Sequence, residues 1–149
     1  MRAVVQRVTR ASVRVDGNTV GAVARGVLVY LGVSRRDTEQ DAVYLAEKIC
    51  TLRVFPDDAS KFNRALSDVG GAILLVSQFT LYGDCRRGRR PSFTDAAEPT
   101  HGRFLYERVA ALLRSKGFTV ETGIFGAHME VESINDGPVT ILLDSEKTF

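Results

Sequence analysis

Ser77, Gln78, Thr80 and Asp84 stand close together directly after the apolar run Ala72–Val76. Hydroxyls, an amide and a carboxylate at the end of a buried strand can polarise or hold a substrate. They can equally make local turn hydrogen bonds. If the strand continues, Gln78 and Thr80 face one side and Ser77 and Phe79 the other. A second segment, Asn135-Asp136-Gly137-Pro138-Val139-Thr140, joins a Gly-Pro pair to two polar side chains at the head of another apolar run. By itself it reads as a turn or as a backbone element of a site.

Familiar catalytic patterns are absent. The chain has no G-x-S-x-G, H-E-x-x-H, G-x-x-x-x-G-K or C-x-x-C. It has two histidines, His101 and His128, and a Ser-His-Asp triad would need one of them. His101 falls in the first turn of an expected helix and reads as exposed; His128 follows a glycine-containing stretch. No cluster of His, Cys and carboxylates has metal-ligand spacing, so neither a metal nor any other cofactor is expected. Cys85 lies beside Asp84, Arg86 and Arg87, where positive charge would favour a thiolate. It is a candidate nucleophile without an evident base.

Arg86, Arg87, Arg89 and Arg90 place four positive charges around Gly88. Such a run is either a solvated loop or a phosphate-binding surface. The net charge of +2 does not decide between them. With 149 residues, 44% hydrophobic and 26% charged, the chain suits one soluble globular domain spanning 1–149. No apolar run approaches a membrane span, and no secretory leader is evident. Cys50 and Cys85 make no disulfide framework, and a cytoplasmic location is expected.

The elements that must carry these residues follow from periodicity. Val4 to Arg10 alternates weakly and Ser12–Val15 clearly; Asp16-Gly17-Asn18 turns the chain into a strand over Thr19–Val23. Gly26–Val33 reads as a strand buried on both faces. A helix follows, with Asp37 and Gln40 as its capping box and Ala42, Leu45, Ala46 and Ile49 as its buried stripe; Cys50 reads as a core residue beside them. Ala72–Val76 is a buried strand. A second helix starts near Pro99, buries Leu105, Val109, Leu112 and Leu113, and ends at Gly117. Phe118–Thr122, Met129–Ile134 and Val139–Leu143 complete the strands, the last two separated by a turn over Asn135–Pro138. The order predicts an α/β protein of the α+β type: a curved, mostly antiparallel, barrel-like sheet with two packed helices.

Taken in order, Ser77-Gln78-Phe79-Thr80-Leu81 and Asn135-Asp136-Gly137-Pro138-Val139-Thr140 resemble the two signature motifs of the D-aminoacyl-tRNA deacylases. Met1–Val8, Arg90–Phe93, Val120–Gly123 and Phe125–Ala127 extend the likeness over the whole chain. The resemblance implies a homodimer with its active sites at the subunit interface. The Gly137-Pro138 peptide would be cis and would enter the partner's site, its backbone filling the space an L side chain needs. Glycyl-tRNA, including glycine mischarged on alanine tRNA, becomes an expected second substrate. Arg7 matches an arginine that steadies this element, with Asn135 as a supporting residue. Catalysis would rest on Ser77, Gln78, Phe79 and Thr80: the main chain around Gln78 and Phe79 would hold the oxyanion, and the terminal ribose 2′-hydroxyl would assist. Thr80 as nucleophile ranks second. Arg86, Arg87, Arg89 and Arg90 would contact the acceptor end of the tRNA. Position 83, often Ala in the family, is Gly83, and His128 stands where an acidic residue is common. Two other readings are a non-catalytic RNA-binding module, stacking bases on Phe79, Tyr82 and Phe93, and a Cys85-dependent hydrolase.

Overall fold

The computed structural model describes all 149 residues. Strand β1 (Arg2–Val15) is the spine. Along one edge it pairs antiparallel with β3 (Gly26–Gly32) and then with β2 (Asn18–Val23); along the other it pairs antiparallel with β8 (Glu130–Asp144). Beyond β3 lie β6 (Ala72–Ser77) and β7 (Val120–Thr122), each parallel to its neighbour. The sheet curls until β2 approaches β7: a Cβ on Gly21 would come 2.5 Å from the Thr122 carbonyl oxygen. The α+β, barrel-like architecture with two helices is the one expected. The two parallel pairings are additional. They arise because α1 (Glu39–Thr51) and α2 (Pro99–Ser115) lie in the connections from β3 to β6 and from β6 to β7, and parallel neighbours need such long crossovers.

Alternation along the central strands divides the interior in two. Val27, Val29 and Leu31 of β3, with Ile73 and Leu75 of β6, face the helices and meet Leu45, Ile49, Leu105, Val109 and Leu113. Leu28, Leu74 and Val76 point the other way, into the barrel, with Val8, Val13 and Val23. That is why β3 and β6 read as continuous apolar runs: both faces are covered. Cys50 belongs to the helix-side core, and burial pushes its thiol up to about 11.

Three local expectations change. The cap of α1 is Thr38, whose N–H and hydroxyl both donate to the Asp41 carboxylate at 2.8 and 2.9 Å. Asp37 is instead a buried anion. It accepts from the Met1 amino group at 2.7 Å and from the Ser34 N–H at 2.6 Å. The turn expected over Asn135–Pro138 does not separate two strands; β8 is one strand with a bulge. Gln6 faces Thr140 and Val8 faces Asn135, so Asp136–Val139 are lifted out of the ladder. Finally, the unassigned stretch before β6 contains a small hairpin, β4 (Phe55–Pro56) with β5 (Phe62–Arg64).

Candidate active site

At the C-terminal end of β6 the ladder stops. Gln78 still donates its N–H to the Leu31 carbonyl at 2.8 Å, and the chain then winds into a short 3-10 turn, Phe79–Tyr82. Its first internal bond runs from the Leu81 N–H to the Gln78 carbonyl at 3.2 Å. The N–H groups of Phe79 and Thr80 precede that bond and have no acceptor within the turn. Phe79 lines a cleft of about 660 Å³ bounded by Val76–Phe79, Phe93, the start of α2 and Phe125–Met129, and Thr80 follows just past that lining. Mostly apolar walls with an unspent N–H donor, that of Phe79, at one end suit an ester whose carbonyl oxygen becomes negative during reaction. Gln78 therefore contributes differently from expectation. Its N–H is committed to the sheet, while its side-chain amide donates to the Thr80 hydroxyl.

That amide is the Thr80 hydroxyl's one hydrogen-bond partner, and it cannot take a proton. His128 and Glu98 line the cleft, but neither bonds to Ser77 or Thr80. His101 is half-buried rather than exposed, its ring nitrogen 2.9 Å from the Asp37 carbonyl oxygen. Cys85 is exposed and lies outside the cleft lining. No group of three or more His, Cys, Asp or Glu side chains is placed to hold a metal. At the cleft mouth the Phe79 ring, 55% exposed, packs edge-on against Phe93 with centroids 5.1 Å apart. Tyr82 is buried, which removes it as a stacking surface. Phe93 and Phe125–Met129 reach the cleft from distant parts of the chain. Sequence singles out Phe93 as a stacking surface and His128 as a histidine, but carries no sign that they share one cleft with Phe125 and Met129.

The second motif lies elsewhere. Ser77 pairs with Leu31 and Leu31 with Ala3, whereas the β8 bulge sits opposite Arg7. Within one chain the two motifs are three strand spacings apart, about 14 Å around the sheet, and about 13 Å apart along it. The bulge is nonetheless tightly built. Arg7, 7% exposed, donates from Nε to the Asp136 carbonyl at 3.1 Å, pairs with its carboxylate at 3.0 Å, and donates from Nη1 to the Val54 carbonyl at 2.6 Å. Asn135 closes the base, accepting from the Val139 N–H and donating to the Thr140 hydroxyl, both at 3.0 Å. Gly137-Pro138 is a cis peptide, and both residues are exposed. Gly137 has φ +130, and a Cβ there would come 2.7 Å from Val139 Cγ2. An L side chain does not fit.

The arginine run forms a loop closed by reciprocal backbone bonds between Asp84 and Ser92 at 2.8 and 2.9 Å. Arg86 grips the Asp84 carboxylate with two bonds of 2.8 Å, and these hold that carboxyl well below its ordinary range. Arg87, Arg89 and Arg90 make no ion pair and are exposed.

A family model described as D-Tyr-tRNA(Tyr) deacylase matches residues 4–144. The chain belongs to the D-aminoacyl-tRNA deacylase family. Among relatives named D-aminoacyl-tRNA deacylase, that of Thermotoga petrophila is 60% identical and that of Anaeromyxobacter dehalogenans 62%, each over the full length of both chains. Among solved structures, one described as a c-Myc DNA unwinding element binding protein superposes with a TM-score of 0.91 at 41% identity, covering 97% of this chain and 98% of that one. Another, described as "a probable eukaryotic D-amino acid tRNA deacylase", gives 0.82 at 20% identity over 95% and 97%, which is a likeness of fold. No helix of this deacylase-family chain is long and apolar enough to cross a membrane.

Proposed function

We propose that the protein is an editing hydrolase that cleaves the ester between a D-amino acid and the 3′ end of tRNA, in the cleft at the end of β6. The observation that carries this reading is a pair of unspent main-chain donors, Phe79 and Thr80 N–H, at the end of a mostly apolar cleft that Phe79 lines, in a chain whose whole length matches the deacylases. Water attacks the ester carbonyl carbon, the carbonyl oxygen becomes an oxyanion held by these donors, and the ribose oxygen leaves with a proton. The neighbouring 2′-hydroxyl relays that proton, since no side-chain base stands beside Thr80. An aminoacyl ester is reactive enough for donors alone to matter, each typically contributing about 10²–10³ in rate.

The chirality filter is Gly137-Pro138 of a second copy. The separation of the bulge from the cleft within one chain favours this arrangement, because an exposed, rigid backbone element has no role in its own cleft. The working form is thus a homodimer with composite sites. Glycine, lacking a side chain, passes the filter, so glycyl-tRNA is a substrate as well. Arg87, Arg89 and Arg90 contact phosphates of the acceptor end, and the cytoplasm, where aminoacyl-tRNA is used, is the compartment. The test is direct: tRNA charged with D-Tyr, L-Tyr or Gly is incubated with the protein and remaining ester is measured. Loss of the D and Gly esters with the L ester intact is expected. Equal loss of D and L overturns the filter, and binding without release of any ester leaves an RNA-binding module.

A further inference from the structure

The β4–β5 hairpin stands off the main sheet, and its Phe62 is 51% exposed although nothing in the core calls for an aromatic there. The hairpin is stiff. The Asp57 carboxylate accepts from the Ala59 and Lys61 N–H groups at 2.8 and 2.9 Å and from the Asn63 amide at 2.5 Å, and Arg64 pairs with Asp58 at 2.8 Å. This rigid arm delivers two contacts to one side chain. The Val54 carbonyl, at its root, accepts from Arg7 Nη1 at 2.6 Å, and the Phe62 ring centroid lies 5.4 Å from the Arg7 guanidinium carbon. Arg7 in turn holds Asp136, and its Nη2 stands 3.1 Å from where a Gly137 Cβ would be. A guanidinium has a fixed plane. Hydrogen bonds along its edges and a ring over its face leave it one orientation.

The geometry points to Phe62 as a positioning residue for chiral selection: the hairpin fixes the Arg7 plane, and through it the Gly137-Pro138 backbone. This rests on the proposal that Gly137-Pro138 excludes L side chains. Phe62 lies outside the cleft lining, so its loss acts on the ratio of D to L hydrolysis rather than on turnover of the D ester.

Four variants are compared on D-Tyr-tRNA and L-Tyr-tRNA: Arg7→Lys, Gly137→Ala, Phe62→Leu and Phe62→Tyr. Leucine keeps the apolar bulk and removes the ring face; tyrosine restores it. Phe62→Leu is expected to lower the D-to-L ratio of kcat/KM about two- to fivefold, the size of an exposed cation–π contact. The D rate and the elution volume should be unchanged. Phe62→Tyr should return the ratio to the parent value, and Arg7→Lys should lower it by about tenfold or more. If Arg7→Lys and Gly137→Ala leave the ratio intact, the exclusion reading falls and this inference with it. If they lower it and Phe62→Leu does not, the inference alone is overturned. Equal loss on both esters, or a change in oligomeric state without a change in ratio, makes Phe62 merely structural and also overturns it.

Discussion

The cleft and the β8 bulge offer opposite uses of the main chain. In the cleft, backbone N–H groups are left unspent at the start of a 3-10 turn, in a concave apolar setting where they can meet developing charge. In the bulge, main chain is pushed outward and its base is tied down: Asp136 by Arg7, and Val139 by Asn135. The first arrangement is attractive and waits for a ligand. The second is a shape held firm and exposed. Chemistry needs free donors, whereas discrimination by exclusion needs an obstacle that does not yield. In the proposed function both come from backbone, and neither calls on a histidine or a metal cluster.

The largest effect is expected at Phe79. Phe79→Pro removes the N–H at the first position of the 3-10 turn, where proline is tolerated and the fold should survive. Deacylation should fall about 10²–10³-fold. Phe79→Ala removes the ring and keeps the donor, so it should retain most of kcat and raise KM. Thr80→Val should cost less than about tenfold, because its hydroxyl serves mainly as acceptor for Gln78. Single-turnover rates on D-Tyr-tRNA decide among these, and a folded but inactive Thr80→Val would restore the side-chain nucleophile.

Next in size is the obstacle itself. Gly137→Ala places a Cβ against Val139 and Arg7 at a φ that L residues rarely adopt, at a cost of about 1–3 kcal/mol. The bulge must shift to relieve this. L-Tyr-tRNA should then be hydrolysed measurably, while the N–H donors of the cleft remain in place. A variant with lowered Tm and unchanged D-to-L ratio would separate the bulge from selection.

The loop around Gly88 gives a smaller and graded effect. Arg89→Ala with Arg90→Ala should reduce the slope of log K against log salt by about 0.7–0.9 per lost phosphate contact. Arg86→Ala should change the slope less, because Arg86 is already neutralised by Asp84. Equal slopes for all these variants and the parent would return the loop to solvent.

How legible the two regions were differs for a physical reason. The periodic elements announced themselves: Leu45 and Ile49, or Leu105 and Val109, repeat at helical spacing because one face is buried. The doubly apolar runs of β3 and β6 followed from two cores sharing one sheet. Asn135–Pro138 looked like a turn because its composition is that of a turn. Only long-range pairing with β1 makes it a bulge in a continuous strand. Asp37 reads as a cap because acidic residues favour helix starts, and its partner, the Met1 amine, is remote in sequence. At the site, sequence offers Gln78 and Phe79 alike as main-chain donors, and only strand pairing claims the Gln78 N–H and leaves that of Phe79. Phe93 is legible only as a stacking candidate and Phe125 only as part of the family likeness, since an aromatic lining a cleft and one filling a core are the same letter.

The smallest effect tests the opposite extreme, a group wholly enclosed and outside both regions. Burial raises the Cys50 thiol from 9.0 to about 11, while Cys85 is exposed. A raised pKa means the folded state keeps its proton longer than the unfolded one. Stability from this group is complete below pH 9 and is lost as pH rises toward 11. By pH 10 the loss should be on the order of 1 kcal/mol, since only the unfolded thiol has ionised. Tyr82 and Tyr106, also raised by burial, add to the loss only above their ordinary value of 10.0. Melting curves from pH 8 to 10 should therefore show a decline that Cys50→Ala flattens and Cys85→Ser leaves untouched. At pH 8 a thiol reagent should modify one cysteine per folded chain, and Cys85→Ser should keep full deacylation while abolishing that reaction. A Cys85→Ser variant that folds but loses hydrolysis would replace the backbone-centred site with a thiol one.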